Sequence, residues 1–418
     1  MDYFEIEGKN QLFGDVQISG AKNAVLPLMA ASILNNDQLT ISNTPNLSDS
    51  KTMANLLREM GSEVKFIDDK IHINSQSINM PYAPYKLVKT MRASFYVLGP
   101  LLSKFGEAKV SLPGGCAWGP RPVDFHIEGM KKLGAKIDLE DGYIIAKSNR
   151  LVGNKIVLPK ISVGATGNIL MASVLAKGDT EIHNAAAEPE IQQLCHFLNS
   201  MGAKISDIGT NTIKIQGVDS LNNIDSVSVI PDRIEAGTFL IAVAATGGEV
   251  KLNNVNPIHL ETVISHLKKA NINLTVHDNS IVVSSDGKDI NACNMETNEY
   301  PGFPTDLQAQ WMLLMSLASE DSNIKENIYF DRFNHVLELN RLGCNVRVEK
   351  ESAFIKGKRN LVSADVMSTD IRASASLIIA ALCAEGRSTI SRIYHIDRGY
   401  DKIEEKLSKI GAKIVRKK

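Results

Sequence analysis

Two tryptophans and five cysteines are few for 418 residues, and the cysteines show no paired spacing. An odd, scattered set excludes a disulfide scaffold and suits a reduced compartment, so the expected location is the cytoplasm. CxxC, HExxH and HxH are all absent, which leaves a metal centre without support; no cofactor is expected. No charge of one sign prevails: 46 Lys and Arg stand against 47 Asp and Glu. That excludes the broad basic surface that nucleic acid or an anionic membrane requires. Long apolar runs are missing too. FLIAVAA and SLIIAALCA are far too short to cross a bilayer. MDYFEIEGKN carries acids early and does not read as a signal peptide. GxGxxG is absent. GDVQISGAK at Gly14 approaches a P-loop, but its spacing is one too long and no Ser or Thr follows the lysine. The common fingerprints for ATP and NAD therefore fail.

What the chain has is repetition. Helix-like segments end in a small or polar residue and pass into an extended run. They do so at Gly61, Gly134, Gly202, Asn271, Gly343 and Gly411, roughly 70 residues apart. Gly or Asn at that place predicts a left-handed cap, and the alternating run behind it predicts a strand. A second series keeps the same beat. Near Lys22, Arg92, Gly164, Arg233, Asp306 and Asp370, a short polar start leads into a helix apolar almost all round. Such helices are normally buried. The reading is six copies of one α/β unit, three in each of two lobes, with a boundary near residue 229. The first extended segment, FEIEGKNQLFGDVQIS, is free to join either lobe.

Function enters through the helix starts. A helix N-terminus presents unpaired N–H groups and partial positive charge, and so favours anions. Lys22, Arg92, Arg233 and Arg372 stand at such starts, Lys160 precedes one, and Arg121, Arg332 and Arg398 lie in loops. Two readings stay open for each cation: pairing with a nearby acid (Glu235 with Arg233, Asp331 with Arg332, Asp397 with Arg398), or service to an anion. For the set, arranged on a repeat, an anion-binding cleft between lobes is the expectation. Asp306 in PTDLQAQ and Asp370 in STDIRAS are expected to cap their helices. A carboxylate facing the cleft would also be able to take a proton from a hydroxyl. Asp49 and Asp124 are further acids in irregular segments.

SLPGGCAWGPRPVDFH, from Ser111 to His126, sets Cys116 among glycines and prolines. Gly loosens and Pro stiffens such a segment, which suits a lid with a mobile tip. Arg121 nearby would favour the thiolate. The plainer reading is an ordinary exposed or half-buried thiol, and it is the one adopted for Cys195, Cys293, Cys344 and Cys383. His126 and His395 are assigned no role, since a lone histidine more often simply satisfies hydrogen bonds.

Together these motifs resemble one family: the bacterial UDP-N-acetylglucosamine enolpyruvyl transferases (1-carboxyvinyltransferases). The resemblance runs from SGAKNA at Ser19 through KTMRAS, PGGCAWGPRPVDFH, KISVGATG, PDRIEAGTF, PGFPTDLQAQ and TDIRASAS to HIDRGY at His395. Trp118 and Pro120 are less usual choices, and YFDRF stands before His335 where the family has FENRF. The resemblance implies a two-domain inside-out α/β barrel. Residues 22–229, with a lid at 111–122, would form one lobe; residues 1–21 and 230–418 would form the other. It implies transfer of the enolpyruvyl group of phosphoenolpyruvate to the 3′-hydroxyl of UDP-N-acetylglucosamine by addition and elimination. Phosphate is released without a metal, and the reaction opens peptidoglycan synthesis. The implied catalytic set is Cys116 as acid and adduct-former, Asp306 as base, and Lys22 and Arg398 as cations around phosphoenolpyruvate, with Arg121. Asn23, Arg92, Arg121, Pro122, Val123, Asp124, Lys160, Ser162, Val163, Gly164 and Ile328 would hold the nucleotide sugar, and Asp370 and Arg372 would support the site. Fosfomycin sensitivity is implied through Cys116. No obligatory protein partner is implied. Two alternatives are 5-enolpyruvylshikimate-3-phosphate synthase, which lacks the lid cysteine, and a non-catalytic nucleotide-sugar sensor on the same scaffold.

Overall fold

The computed structural model describes residues 2–113, 123–358 and 360–418. Cys116, Trp118, Pro120, Arg121 and Pro122 lie outside the described residues. The chain divides into two compact units. One is Gly20–Ile230; the other joins Met1–Ser19 to Pro231–Lys418.

The described residues form six four-stranded sheets, three to a unit, and all follow one pairing rule. In Gly20–Ile230, strand Lys155–Val157 runs parallel to Asp179–His183, which pairs antiparallel with Thr212–Gln216, which pairs antiparallel with Lys204–Ser206. Between the two parallel strands lies the helix Val163–Ser173, as a parallel pair requires a crossover. Tyr82–Ala83 and Glu107–Ser111 repeat this around the helix Leu98–Phe105. The remaining sheet of the unit is closed from afar. Gln38–Ser42, which follows the helix Lys22–Ala31, takes Ser226–Ser228 as its parallel neighbour.

The other unit is closed by the amino-terminal segment, which forms two strands. Leu12–Gln17 runs parallel to Gly248–Asn253. Tyr3–Glu7 lies between Arg387–Ser391 and Lys413–Lys417 in a second sheet, antiparallel to both. The repeat pattern alone left this segment's lobe open; its register pairs it with strands of residues 231–418.

Each sheet buries one face only, as the alternation eBiBi along Gln38–Ser42 and Lys70–Asn74 illustrates. Against those faces lie the helices that are apolar all round. All eleven residues of Ala373–Cys383 are buried, and this helix packs with Arg233–Thr246 and Gln308–Leu317. Trp311, fully buried, stands edge-on to Phe303 and His266. Amphipathic helices such as Ser48–Glu59 and Glu261–Lys269 are half-buried. Each unit is thus an inside-out α/β barrel, with helices within and sheets without. Gly61, Gly134, Gly202, Asn271, Gly343 and Gly411 all have positive φ, from 67° to 108°. This is the backbone region that the helix-to-strand reversal needs and that glycine enters without steric cost.

Candidate active site

In the unit that carries residues 231–418, the expected residues gather around buried carboxylates and guanidinium groups. Asp306 is not a helix cap. It sits in a 3-10 turn, Thr305–Leu307, ahead of the helix Gln308–Leu317, and makes no capping hydrogen bond. Its Oδ1 lies 2.8 Å from Arg332 Nη1, and its Oδ2 lies 3.6 Å from Arg372 Nε. Two cations outcompete a helix end for one carboxylate. Burial pushes the Asp306 carboxyl up, but Arg332, Arg372 and Arg233 more than offset it and hold it well below the usual carboxylate range.

Asp370 does act at a helix start. Its Oδ1 accepts from Arg372 N at 2.9 Å and Ala373 N at 3.0 Å. Its Oδ2 has no hydrogen-bond partner among the described residues. Arg372 is buried, donates Nη1 to Gly399 O at 3.1 Å, and lies over the Tyr400 ring. Its Nη2 stands 3.5 Å from Asp232 Oδ2. Asp232 also caps the helix Arg233–Thr246, accepting from Ile234 N and Glu235 N. Arg398 ends the turn Ile393–Arg398, half-buried and one residue before Gly399. Burial first, then Arg398 and Arg392, lower the proton affinity of His395.

Three of these charged residues take partners that sequence proximity did not suggest. Glu235 pairs with Lys406 at 2.6 Å, Arg332 with Asp306, and Asp397 with Arg416 at 2.6 Å. Glu326, fully buried, fixes the neighbouring loop. It accepts from Thr297 and Thr305 hydroxyls and from Ile328 N and Tyr329 N. Ile328 is thereby held by its backbone. Asp232, Glu326 and Tyr400 were missed by the sequence reading. Only Asp232 had a local signal, as the residue before a helix start in PDRIEAG.

In Gly20–Ile230, Lys22 opens the helix Lys22–Ala31 and is buried, with Nζ 2.8 Å from Asp49 Oδ2. Asn23 beside it is half-buried. This helix packs on the 3-10 turn Arg92–Val97. Arg92 therefore begins a turn, while the apolar helix it was expected to open starts at Leu98. The turn in turn packs on the helix Val163–Ser173, which Ser162 caps by accepting from Ala165 N at 3.3 Å. Val163 and Gly164 form its first turn. Lys160 and Asp124 are exposed and Val123 is buried. The helix Asp124–Lys132 also packs against Val163–Ser173. The structure thus brings the Arg92 turn, the Ser162–Gly164 helix start and the Asp124 helix start onto neighbouring elements of one unit. Among the described residues, no group of three His, Cys, Asp or Glu is placed to share a metal ion. No helix among them is long and apolar enough to cross a membrane.

Residues 6–407 match the family described as EPSP synthase (3-phosphoshikimate 1-carboxyvinyltransferase). Two curated relatives are named UDP-N-acetylglucosamine 1-carboxyvinyltransferase. The one from Hydrogenovibrio crunogenus is 51% identical over 417 residues and covered in full by a full-length match. The one from Chloroherpeton thalassium is 52% identical over 419 residues, spanning all of this chain and 97% of the relative. Among solved structures, the enolpyruvyl transferase NikO from Streptomyces tendae superposes with a TM-score of 0.90 at 24% identity, covering 99% of this chain and 98% of that one. EPSP synthase from Acinetobacter baumannii gives 0.77 at 17% identity over the whole of both chains. At these identities the two structures speak for the fold.

Proposed function

The chain belongs to the EPSP synthase family of enolpyruvyl transferases, and from that premise we propose that it moves the enolpyruvyl group of phosphoenolpyruvate onto the 3′-hydroxyl of UDP-N-acetylglucosamine. The observation that carries the reading is Asp306. It is a carboxylate kept ionised by Arg332 and Arg372 and so in the correct state to receive a hydroxyl proton. The choice of acceptor rests on the full-length relatives named for UDP-N-acetylglucosamine.

The steps balance as an addition followed by an elimination. A proton from Cys116 reaches C3 of the vinyl group, and C2 becomes electrophilic. The sugar oxygen bonds to C2 as Asp306 takes its proton. The resulting tetrahedral ketal returns a C3 proton to the Cys116 thiolate and expels phosphate from C2, which carries off the proton held by Asp306, restoring the double bond. Lys22, Arg121 and Arg398 hold the phosphate and carboxylate of phosphoenolpyruvate. Asn23, Arg92, Arg121, Pro122, Val123, Asp124, Lys160, Ser162, Val163, Gly164 and Ile328 hold the nucleotide sugar. Asp370 and Arg372 keep the Asp306 surroundings charged and ordered. Cys116, Arg121 and Pro122 enter on sequence resemblance, as they lie outside the described residues. The product serves peptidoglycan synthesis in the cytoplasm, and alkylation of Cys116 by fosfomycin stops the reaction.

Phosphate release with phosphoenolpyruvate as donor tests this directly. Release with UDP-N-acetylglucosamine and not with shikimate 3-phosphate is expected. Release only with shikimate 3-phosphate would reassign the acceptor, and release with neither would favour a sensor.

A further inference from the structure

Two parallel strands, Met295–Thr297 and Ser322–Glu326, end side by side, with Thr297 opposite Glu326. The Glu326 side chain is fully buried there, against the turn Thr305–Leu307 that carries Asp306. A buried carboxylate persists only when donors surround it. Oε1 has three: Thr297 Oγ1 at 2.8 Å, and Ile328 N and Tyr329 N at 3.0 Å each. Those bonds hold the loop. Oε2 accepts instead from Thr305 Oγ1 at 3.0 Å. A hydroxyl has a single hydrogen. With it given to Glu326, Thr305 presents lone pairs to its other neighbour, Arg332 Nη1, at 2.9 Å. That nitrogen carries a pair of hydrogens. One goes to Thr305, and the other is left for Asp306 Oδ1 at 2.8 Å. Glu326, Thr305, Arg332 and Asp306 thus form one directed chain in which each hydrogen has its place.

We propose that Glu326 is a positioning residue for the transfer reaction: through Thr305 it fixes Arg332 Nη1 on Asp306, and so sets the direction in which the Asp306 carboxylate meets the sugar hydroxyl. The inference rests on the function proposed above. Glu326 acts at one remove, with Thr305 and Arg332 between it and the base. Its other oxygen holds the loop at Ile328 and Tyr329, so one buried group orders both the base and a loop of the acceptor site. Orientation of this kind is worth large factors in rate, since a misplaced base meets its proton at a poor angle.

Glu326→Gln separates the two tasks. Backbone N–H groups cannot accept, so the new amide must turn its oxygen to Ile328 N and Tyr329 N and its NH2 to Thr305. The loop keeps its acceptor, while the Thr305 hydroxyl loses its own. In steady-state assays of the full-length protein, kcat is expected to fall about tenfold to a hundredfold, the range for a hydrogen bond to a charged group. KM for UDP-N-acetylglucosamine and for phosphoenolpyruvate should each stay within about threefold of the unsubstituted value. Thr305→Val should lower kcat by a similar factor, and Thr305→Ser, which returns the hydroxyl, should restore it. Coupling is the readout that a merely structural role would not move. Glu326→Gln added to Thr305→Val should cost kcat no more than about threefold beyond Thr305→Val alone. Thr297→Val strips Oε1 of a donor and leaves the Thr305 side intact; it should lower the unfolding temperature yet keep kcat within about threefold. If Glu326→Gln does not fold, Glu326→Asp, which keeps the charge but draws it back from Thr305, takes its place in the same cycle. An unchanged kcat at position 326, a change confined to KM, additive losses in the double variant, a Thr305→Ser as slow as Thr305→Val, or a Thr297→Val as slow as Glu326→Gln overturns the proposal. The transferase reading then stands, because the unsubstituted protein still releases phosphate with UDP-N-acetylglucosamine. An unsubstituted protein that releases none brings down both.

Discussion

Asp306 is held between two guanidinium groups, and this sets both its charge and its strength as a base. A carboxylate so stabilised is always ionised at neutral pH but accepts a proton reluctantly. Its proton must therefore be taken as the C–O bond forms rather than beforehand. Asp306→Ala is expected to bind both substrates and to lower kcat at least about a hundredfold; a near-normal kcat in steady-state assays would reduce Asp306 to a structural ion pair. The charge also has a pH signature. The folded-state pKa of Asp306 lies below the ordinary Asp value near 4. Its contribution to stability is complete above that value and is lost as pH falls through the lower folded one. The stability advantage of the native chain over Asp306→Asn should be level from about pH 8 to pH 5 and shrink below about pH 4, as read from denaturation at each pH. At Cys116 the expectation follows acid chemistry. Cys116→Ala should abolish turnover, while Cys116→Asp should keep it and resist fosfomycin, since a carboxyl donates a proton yet is a poor nucleophile toward an epoxide. Full activity of the alanine variant in the phosphate-release assay would remove Cys116 from the acid role.

Helix starts differ in how much they depend on the side chains that cap them. Ser162 supplies one acceptor to Ala165 N, and Ser162→Ala is expected to cost about 1 kcal/mol, the ordinary cap value. Asp232 supplies two capping bonds and a charge opposite buried Arg372. Asp232→Ala should cost at least about 2 kcal/mol in urea unfolding, because losing a partner of a buried charge adds to losing a cap. Equal costs would mean that Asp306, Gly399 O and the Tyr400 ring suffice for Arg372 without Asp232. The local sequence pattern predicts a helix cap at Asp306; its carboxylate instead lies between Arg332 and Arg372. A local pattern of Pro, Thr and Asp before an apolar helix cannot reveal that Arg332 and Arg372 arrive from far along the chain.

At the scale of the molecule, the two units differ in how they close. Gly20–Ile230 is continuous, and all three of its sheets draw their strands from within it. The other unit needs Tyr3–Glu7 and Leu12–Gln17 to complete two of its sheets. A fragment of residues 20–230 should therefore fold alone. A fragment of residues 231–418 should remain unfolded by circular dichroism until residues 1–19 are joined to it. Cooperative unfolding of the 231–418 fragment by itself would show that the amino-terminal strands are dispensable.

The sequence by itself determined the repeat, the apolar helices and the reversals at Gly61 through Gly411, because each follows from local periodicity and from the conformations glycine or asparagine can adopt. It also determined the family, since long motifs such as PGFPTDLQAQ keep their order along the whole chain. Local periodicity could not say which unit receives the amino-terminal strands, which is a matter of distant hydrogen-bond register; only the family resemblance pointed to residues 230–418, and the tertiary structure supplies the pairing itself. It alone decided the partners of Lys22, Glu235, Asp306 and Asp397, because an ion pair is selected by distance and burial rather than by neighbourhood in sequence.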